Sequence, residues 1–245
     1  MKAHSTAIVD PSAEVAGDVE IGPYCVVGPR VRIGEGCRLL ARVIVSGAAI
    51  GCRNLFHPNV VIGTLPQAAG PAAPDGRIEI GDDNILREAS SVNLAATAGG
   101  VTRIGSRNRF HPCASVGPDC AIGDGVVLGT FGALRGRNDV GDRAWIEGSG
   151  GAETGVSVSR GGWIQSHCCT IADVPPFMGV AGDLGAVFAV NPQFRTPALE
   201  RALELVWRSN LPRVEAIRRL EGENGSEIAE LVAFLRRPPR EPVDE

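Results

Sequence analysis

Aliphatic residues recur at every sixth position along most of this chain, and no other feature constrains its fold as strongly. Val9, Val15, Ile21, Val27, Ile33, Leu39 and Val45 open the series. It slips by one, resumes at Ile50, Phe56 and Ile62, and after a break runs through Ile80, Leu86 and Val92. From Ile104 the spacing continues through Phe110, Val116, Ile122, Leu128, Leu134, Val140, Ile146, Ala152, Val158 and Ile164. Such a period is neither the roughly 3.6 residues of a helix nor simple strand alternation. It fits a short strand with two inward side chains followed by a sharp turn. Glycine often follows the aliphatic residue, as in Ile21-Gly22 and Ile33-Gly34, and suits a turn with positive φ. Small or β-branched residues four positions after the first, such as Val19, Cys25 and Val31, supply the second inward side chain. Three hexads make a triangular coil of about 18 residues, and coils stack at roughly the 4.8 Å of paired strands.

The prediction is an all-β left-handed parallel β-helix over residues 1–180, with protruding loops at 64–77 and 95–101, and a C-terminal α-helical extension in 181–245. Left-handed coiling is the habit of chains with this repeat and an exception to the right-handed crossover rule. The loop at 64–77 is too rich in Pro and Gly for a strand. After Asp173-Val174-Pro175-Pro176 the hexads stop. Apolar spacing then predicts helices over 197–209, opened by Thr196-Pro197, over 211–221 and over 226–237. Arg201, Arg208, Arg213, Arg218, Arg219, Arg236 and Arg237 on these helices predict a basic surface.

The composition agrees: only 4% aromatic residues, against 32 Gly and 17 Pro, suits thin coils better than a layered core. A net charge of −4 gives no electrostatic case for nucleic acid. The seven cysteines form no CxxC pair, and neither a leader-like segment nor an apolar run near membrane-spanning length is visible. Free thiols in the cytoplasm, no integral membrane segment, no metal and no cofactor are the expectations.

The order of parts is specific. A long hexad block, a loop beginning Ile62-Gly63-Thr64-Leu65-Pro66-Gln67, a second block, Asp173-Val174-Pro175-Pro176-Phe177 and a helix with Glu204-Leu205-Val206-Trp207-Arg208-Ser209 follow one another. Together they resemble the UDP-N-acetylglucosamine O-acyltransferases of lipid A biosynthesis, over nearly the whole chain. The resemblance implies a homotrimer, an acyl-carrier-protein thioester as donor and a UDP-amino sugar as acceptor. It also implies a histidine base between subunits and a backbone N–H for the oxyanion.

Carried over by position, Gln67 matches the loop glutamine that contacts the acceptor, and Gly136 the oxyanion glycine. Asp119 matches the aspartate after the catalytic histidine, and Asn191 an asparagine near the nucleotide. The catalytic histidine position is Pro118, in Pro118-Asp119-Cys120. Further family histidines fall on Ser115, Asn93, Arg137 and Glu153; the glutamine beside the last is Thr154, and tandem arginines fall on Pro197 and Ala198. Two histidines stand where the family has none, in Phe56-His57-Pro58 and Phe110-His111-Pro112. They read either as replacement bases or as corner residues of the coil.

Two functions stay open. One is a divergent acyl-carrier-protein-dependent acyltransferase using His57, His111 or Glu153 as base. The other is a catalytically silent member that binds a nucleotide sugar, acyl carrier protein or a catalytic paralogue. A metal-dependent carbonic anhydrase on the same repeat needs a third histidine in phase, which the sequence lacks.

Overall fold

The computed structural model describes residues 1–66, 75–182 and 185–238. Most hexads contribute a strand of two residues, such as Glu20–Ile21, Val26–Val27 and Arg32–Ile33. Each strand pairs in parallel with those one coil before and after it, Val26 lying between Ile8 and Ile44. Sheets of 11, 9 and 8 strands thereby become the faces of a left-handed triangular prism. The first face starts at Lys2–Ala3, the second at Ile8–Val9 and the third at Glu14–Val15. The first edge joins faces one and two, the second edge faces two and three, the third edge faces three and one.

The hexad residues point inward and are buried from Ile21 onward; in the first coil, with nothing beneath it, Val9 and Val15 are only half-buried. The other inward slot is apolar at Val19, Val31 and Val43 and becomes asparagine at Asn54, Asn84 and Asn108. Chaining satisfies the amides of Asn54 and Asn84, whereas Asn108 Nδ2 has no partner among the described residues. Asn84 Nδ2 donates to Asn54 Oδ1 at 2.9 Å, and Asn108 N donates to Asn84 Oδ1 at 2.9 Å. Along the third edge Cys52, Ser106 and Asp124 each donate a backbone N–H to a carboxylate in the next coil, of Asp82, Asp124 and Asp142 respectively.

Apart from Gly63, whose φ is positive, the glycine after the aliphatic residue is required by close approach and not, as the sequence suggested, by positive φ. A Cβ on Gly81 would sit 2.8 Å from the Gly105 carbonyl oxygen. Positive φ falls two residues later, on residues such as Arg42, Asn59, Asp119 and Arg137. A non-glycine residue there costs about 1–2 kcal/mol. Backbone bonds to the adjacent coil offset it: Arg42 N reaches Pro23 O and Arg137 N reaches Pro118 O.

The loops are narrower than predicted, because Thr64 and Arg77 belong to strands and Val101 begins one. The boundary at 180/181 falls inside an antiparallel hairpin of Met178–Ala181 and Ala186–Val190 that extends the first face. The apolar run ending in Val187-Phe188-Ala189-Val190 suits a strand, and Phe188 packs on Trp163 with ring centroids 4.9 Å apart. Helices follow at Pro197–Leu203 (α1), Arg213–Leu220 (α2) and Ser226–Leu235 (α3), with a π-helical turn at Glu204–Arg208 after α1. Leu199, Leu203, Leu220, Ile228 and Leu231 close over Phe177 and Met178 as a second core. Thr196 Oγ1 accepts the Leu199 N–H and caps α1. Thr196→Ala is expected to lower stability by about 1 kcal/mol in urea unfolding, with no change in oligomeric state.

Candidate functional site

Strand register decides which candidates meet. Ser91, Ser115, Ala133 and Gly151 stand one above another on the outside of the second face. The residues just beyond these strands therefore stack along the second edge. This stacks Asn93, Pro118 with Asp119, Gly136 with Arg137, and Glu153 in four successive coils of that edge, with Ser115 on the adjoining face. His57 and His111 lie one prism face away, along the first edge. Asn191 lies near the helical end, and Gln67 lies outside the described residues.

Several of these side chains hold the two loops. Asn93 is buried, and its Nδ2 donates to Leu65 O at 2.8 Å, where the first loop leaves the prism. Asp119 accepts the Ala96 N–H at 3.2 Å and bonds the Thr97 hydroxyl, so its carboxylate is committed to the second loop. Gly99 N donates to Asp75 Oδ1 at 3.0 Å, tying one loop to the other. Asp119→Ala should therefore speed amide hydrogen exchange over residues 95–100 while leaving the coils protected. Unchanged exchange there would remove the carboxylate from that role.

The Gly136 N–H, in the oxyanion position, donates to Asn138 Oδ1 at 3.0 Å. Asn138 is fixed in turn, since its Nδ2 donates to Glu153 O at 2.7 Å and Val156 O at 3.0 Å. Sequence reasoning missed this residue. Its signal was an asparagine in the inward hexad slot, the position of Asn54, Asn84 and Asn108.

Glu153 is half-buried, pairs with Arg135 at 3.1 Å and accepts from the Cys169 thiol at 3.4 Å. Burial first, and Glu153 second, push that thiol up. Burial also pushes the Cys120 thiol up to about 12, so it is no thiolate nucleophile near neutral pH. Arg137 is exposed, and its guanidinium has no partner among the described residues. Of the two arginines that flank Gly136, Arg135 is paired with Glu153, which leaves Arg137 as the uncommitted one.

Both His-Pro segments are turns. Val60 N donates to His57 O and Ala114 N to His111 O, with Pro58 and Pro112 second and positive φ at Asn59 and Cys113 third. His57 Nδ1 lies 3.1 Å from Glu88 Oε1. The Arg87 guanidinium, ahead of other contacts, lowers the Glu88 carboxyl to about 2. Its stabilising charge is complete above the ordinary glutamate range and is lost only as pH falls toward that value. His111 is exposed, and its ring has no partner among the described residues.

Asn191 is fully buried with both ends used: Nδ2 donates to Gly161 O at 2.8 Å and Oδ1 accepts from Gln193 N at 3.0 Å. The helical arginines do not make the expected basic surface. Arg201 pairs with Glu223, Arg208 with Glu204, Arg218 and Arg219 with Glu215, and Arg236 with Glu221. A recess of about 470 Å³ at the base of the first face, lined by Lys2, His4, Glu20 and Arg38, contains none of the second-edge residues. Among the described residues no cluster of three or more His, Cys, Asp or Glu is placed to hold a metal, and no helix is long and apolar enough to cross a membrane.

No protein-family model matches the chain. A relative from Syntrophobacter fumaroxidans, an acyl-[acyl-carrier-protein]–UDP-N-acetylglucosamine O-acyltransferase, is 34% identical and covers 96% of each chain. One of the same name from Thermodesulfovibrio yellowstonii is 30% identical and covers 95% of each. Among solved structures, the UDP-N-acetylglucosamine O-acyltransferase of Moraxella catarrhalis superposes with a TM-score of 0.88 at 30% identity, covering 96% of each chain. That of Bacteroides fragilis gives 0.89 at 26% identity, over 95% of this chain and 96% of its own. Matched over 96% of its length by a relative 34% identical, this chain belongs to the acyl-[acyl-carrier-protein]–UDP-N-acetylglucosamine O-acyltransferase family.

Proposed function

We propose that this chain transfers an acyl group from an acyl-carrier-protein thioester to a UDP-amino sugar, along the second edge of its prism, as a cytoplasmic homotrimer. The observation that carries this reading is the convergence of Ser115, Gly136, Arg137 and Glu153 beside two loops clasped by Asn93 and Asp119. Relatives covering the whole fold bear names for that reaction. Arg137 supplies positive charge for the carbonyl oxygen of the thioester as it becomes an oxyanion. Glu153 and Arg135 form a paired, half-buried polar wall suited to the sugar. Gln67 keeps its family assignment to the acceptor.

The trimer reading is supported by where apolar surface is left uncovered. Ile8 and Ile44 are exposed on the second face, Tyr24 and Phe131 on the first edge, Leu65 and Ile171 on the second edge. The outward column of the second face runs from Ile8 and Val26 through Ser115 and Ala133 to Cys169 without a charge. Its nine strands span about 40 Å at roughly 4.8 Å each. At a width of about 20 Å, six extended residues, the whole face measures about 800 Å², shared in a trimer between two neighbours, and the exposed edge side chains add to it.

A specific observation favours the catalytically silent reading as the alternative: Pro118 offers no proton acceptor, and the Gly136 N–H is already engaged. Incubation with acyl-carrier-protein thioesters and UDP-amino sugars, read by mass spectrometry, separates the two. Acylated sugar nucleotide is the expected product. Binding of both ligands without product would establish the silent member instead.

A further inference from the structure

We propose that His111 of one copy is the proton acceptor for the second-edge site of the next copy, supplying the base that Pro118 does not; this rests on the acyl-transfer reading above. The argument begins with the coil. His111 follows the strand Arg109–Phe110 at the first edge, and Pro118 follows Ser115–Val116 at the second. They stand at the two borders of one face within a single turn of the prism. If the second faces surround a threefold axis parallel to the prism, the first edge of each copy meets the second edge of its neighbour. Corresponding coils then lie at equal height, so the neighbour's His111 faces the level of Pro118 and Asp119.

Charge and aromatic placement on the two edges agree with this pairing. Tyr24 and Phe131 are the exposed rings of the first edge, at 62% and 64% exposure. In the same coils, on the second edge, stand Arg30 and Arg137. Edge-to-edge contact covers each ring with a guanidinium, a favourable cation–π arrangement. His57 is the weaker candidate, because it stands two coils below His111, about 10 Å lower, and already contacts Glu88. The His111 ring is exposed and uncommitted.

The step balances without a cofactor. A ring nitrogen of His111 takes the proton of the sugar hydroxyl as that oxygen bonds to the thioester carbonyl carbon. The C–S bond then breaks, and the imidazolium gives its proton to the departing thiolate of the carrier. The products are an ester and a free thiol, with His111 neutral again.

Three measurements decide the matter. His111→Ala should lower kcat by about 10²-fold or more, with a smaller change in KM for the sugar, and should abolish the acidic limb of the pH–rate profile. Mixed trimers of His111→Ala and Arg137→Ala chains should regain activity, because some contacts then join an intact first edge to an intact second edge. Random mixing at equal amounts places about one quarter of contacts in that state. Unchanged kcat in His111→Ala, or no recovery in mixed trimers confirmed by native mass spectrometry, would overturn the proposal. A third test does not depend on turnover. The double variant His111→Cys, Pro118→Cys, treated with a short bismaleimide, should give covalent dimers and trimers beyond the wild-type background. Monomers alone would refute the pairing of edges. A wild type that forms no acylated product removes the acyl-transfer reading and the base role with it, while the cross-link still reports whether the edges meet.

Discussion

Replacing Asn138 with alanine should raise the rate of acyl transfer while lowering the stability of the protein. The amide now holds the Gly136 N–H at 3.0 Å and two carbonyl oxygens in the coil above. On the acyl-transfer reading proposed above, alanine frees that N–H for the oxyanion of the reaction. One such donor is worth about 10²–10³ in kcat when removed from an established site, so a gain of about tenfold or more is expected here, the geometry being less refined. The buried carbonyls left behind cost about 1–3 kcal/mol. Single-turnover rates and urea midpoints measured on the same preparation check both halves. A fall in stability with no gain in rate would show that this N–H does not face the reacting carbonyl. Histidine at position 118 alone should gain little, because the N–H stays engaged.

Phe110→Ala is expected to cost about 3–5 kcal/mol in urea unfolding, the largest stability effect of any single substitution considered. The ring is fully buried, and its strand pairs between those of Leu86 and Leu128. The prism is only one side chain deep on each face, so few neighbours can move in to fill the void. Val9→Ala should cost less than about 1.5 kcal/mol, since the open first coil leaves Val9 partly exposed already. Equal losses at the two positions would mean that the coils do not share one close-packed interior.

The prism was legible because a six-residue period repeats one local solution, and each repeat adds the same evidence. Val27, Leu39, Ile62 and Leu128 all occupy the slot their spacing assigns. The hairpin was not legible, because Val187-Phe188-Ala189-Val190 acquires its strand character from Trp163 and from Met178–Ala181, both distant in sequence or across a turn. Which residues share the second edge could be read by counting hexads once the family positions were marked. What each side chain does there could not. Asp119, Asn93 and Asn191 look like ligand contacts by type, yet their polar atoms bond backbone groups of this same chain. Asn138 was invisible for the converse reason: its slot reads as core, and only the fold shows that an amide in that slot reaches the N–H of Gly136.

The uncovered first coil gives the rod a direction. At the helical end the hairpin extends the first face alone, and among the described residues Lys2–Ala3, Ile8–Val9 and Glu14–Val15 pair on one side only. A foreign strand adding at the first coil would meet charge and proline. The residues posted there are suited to refuse it: Lys2, the only lysine in the chain, with Asp10, Pro11, Glu14 and Asp18. Charge and proline at a sheet margin make docking of another chain costly, so the composition of this coil works against strand addition at that margin.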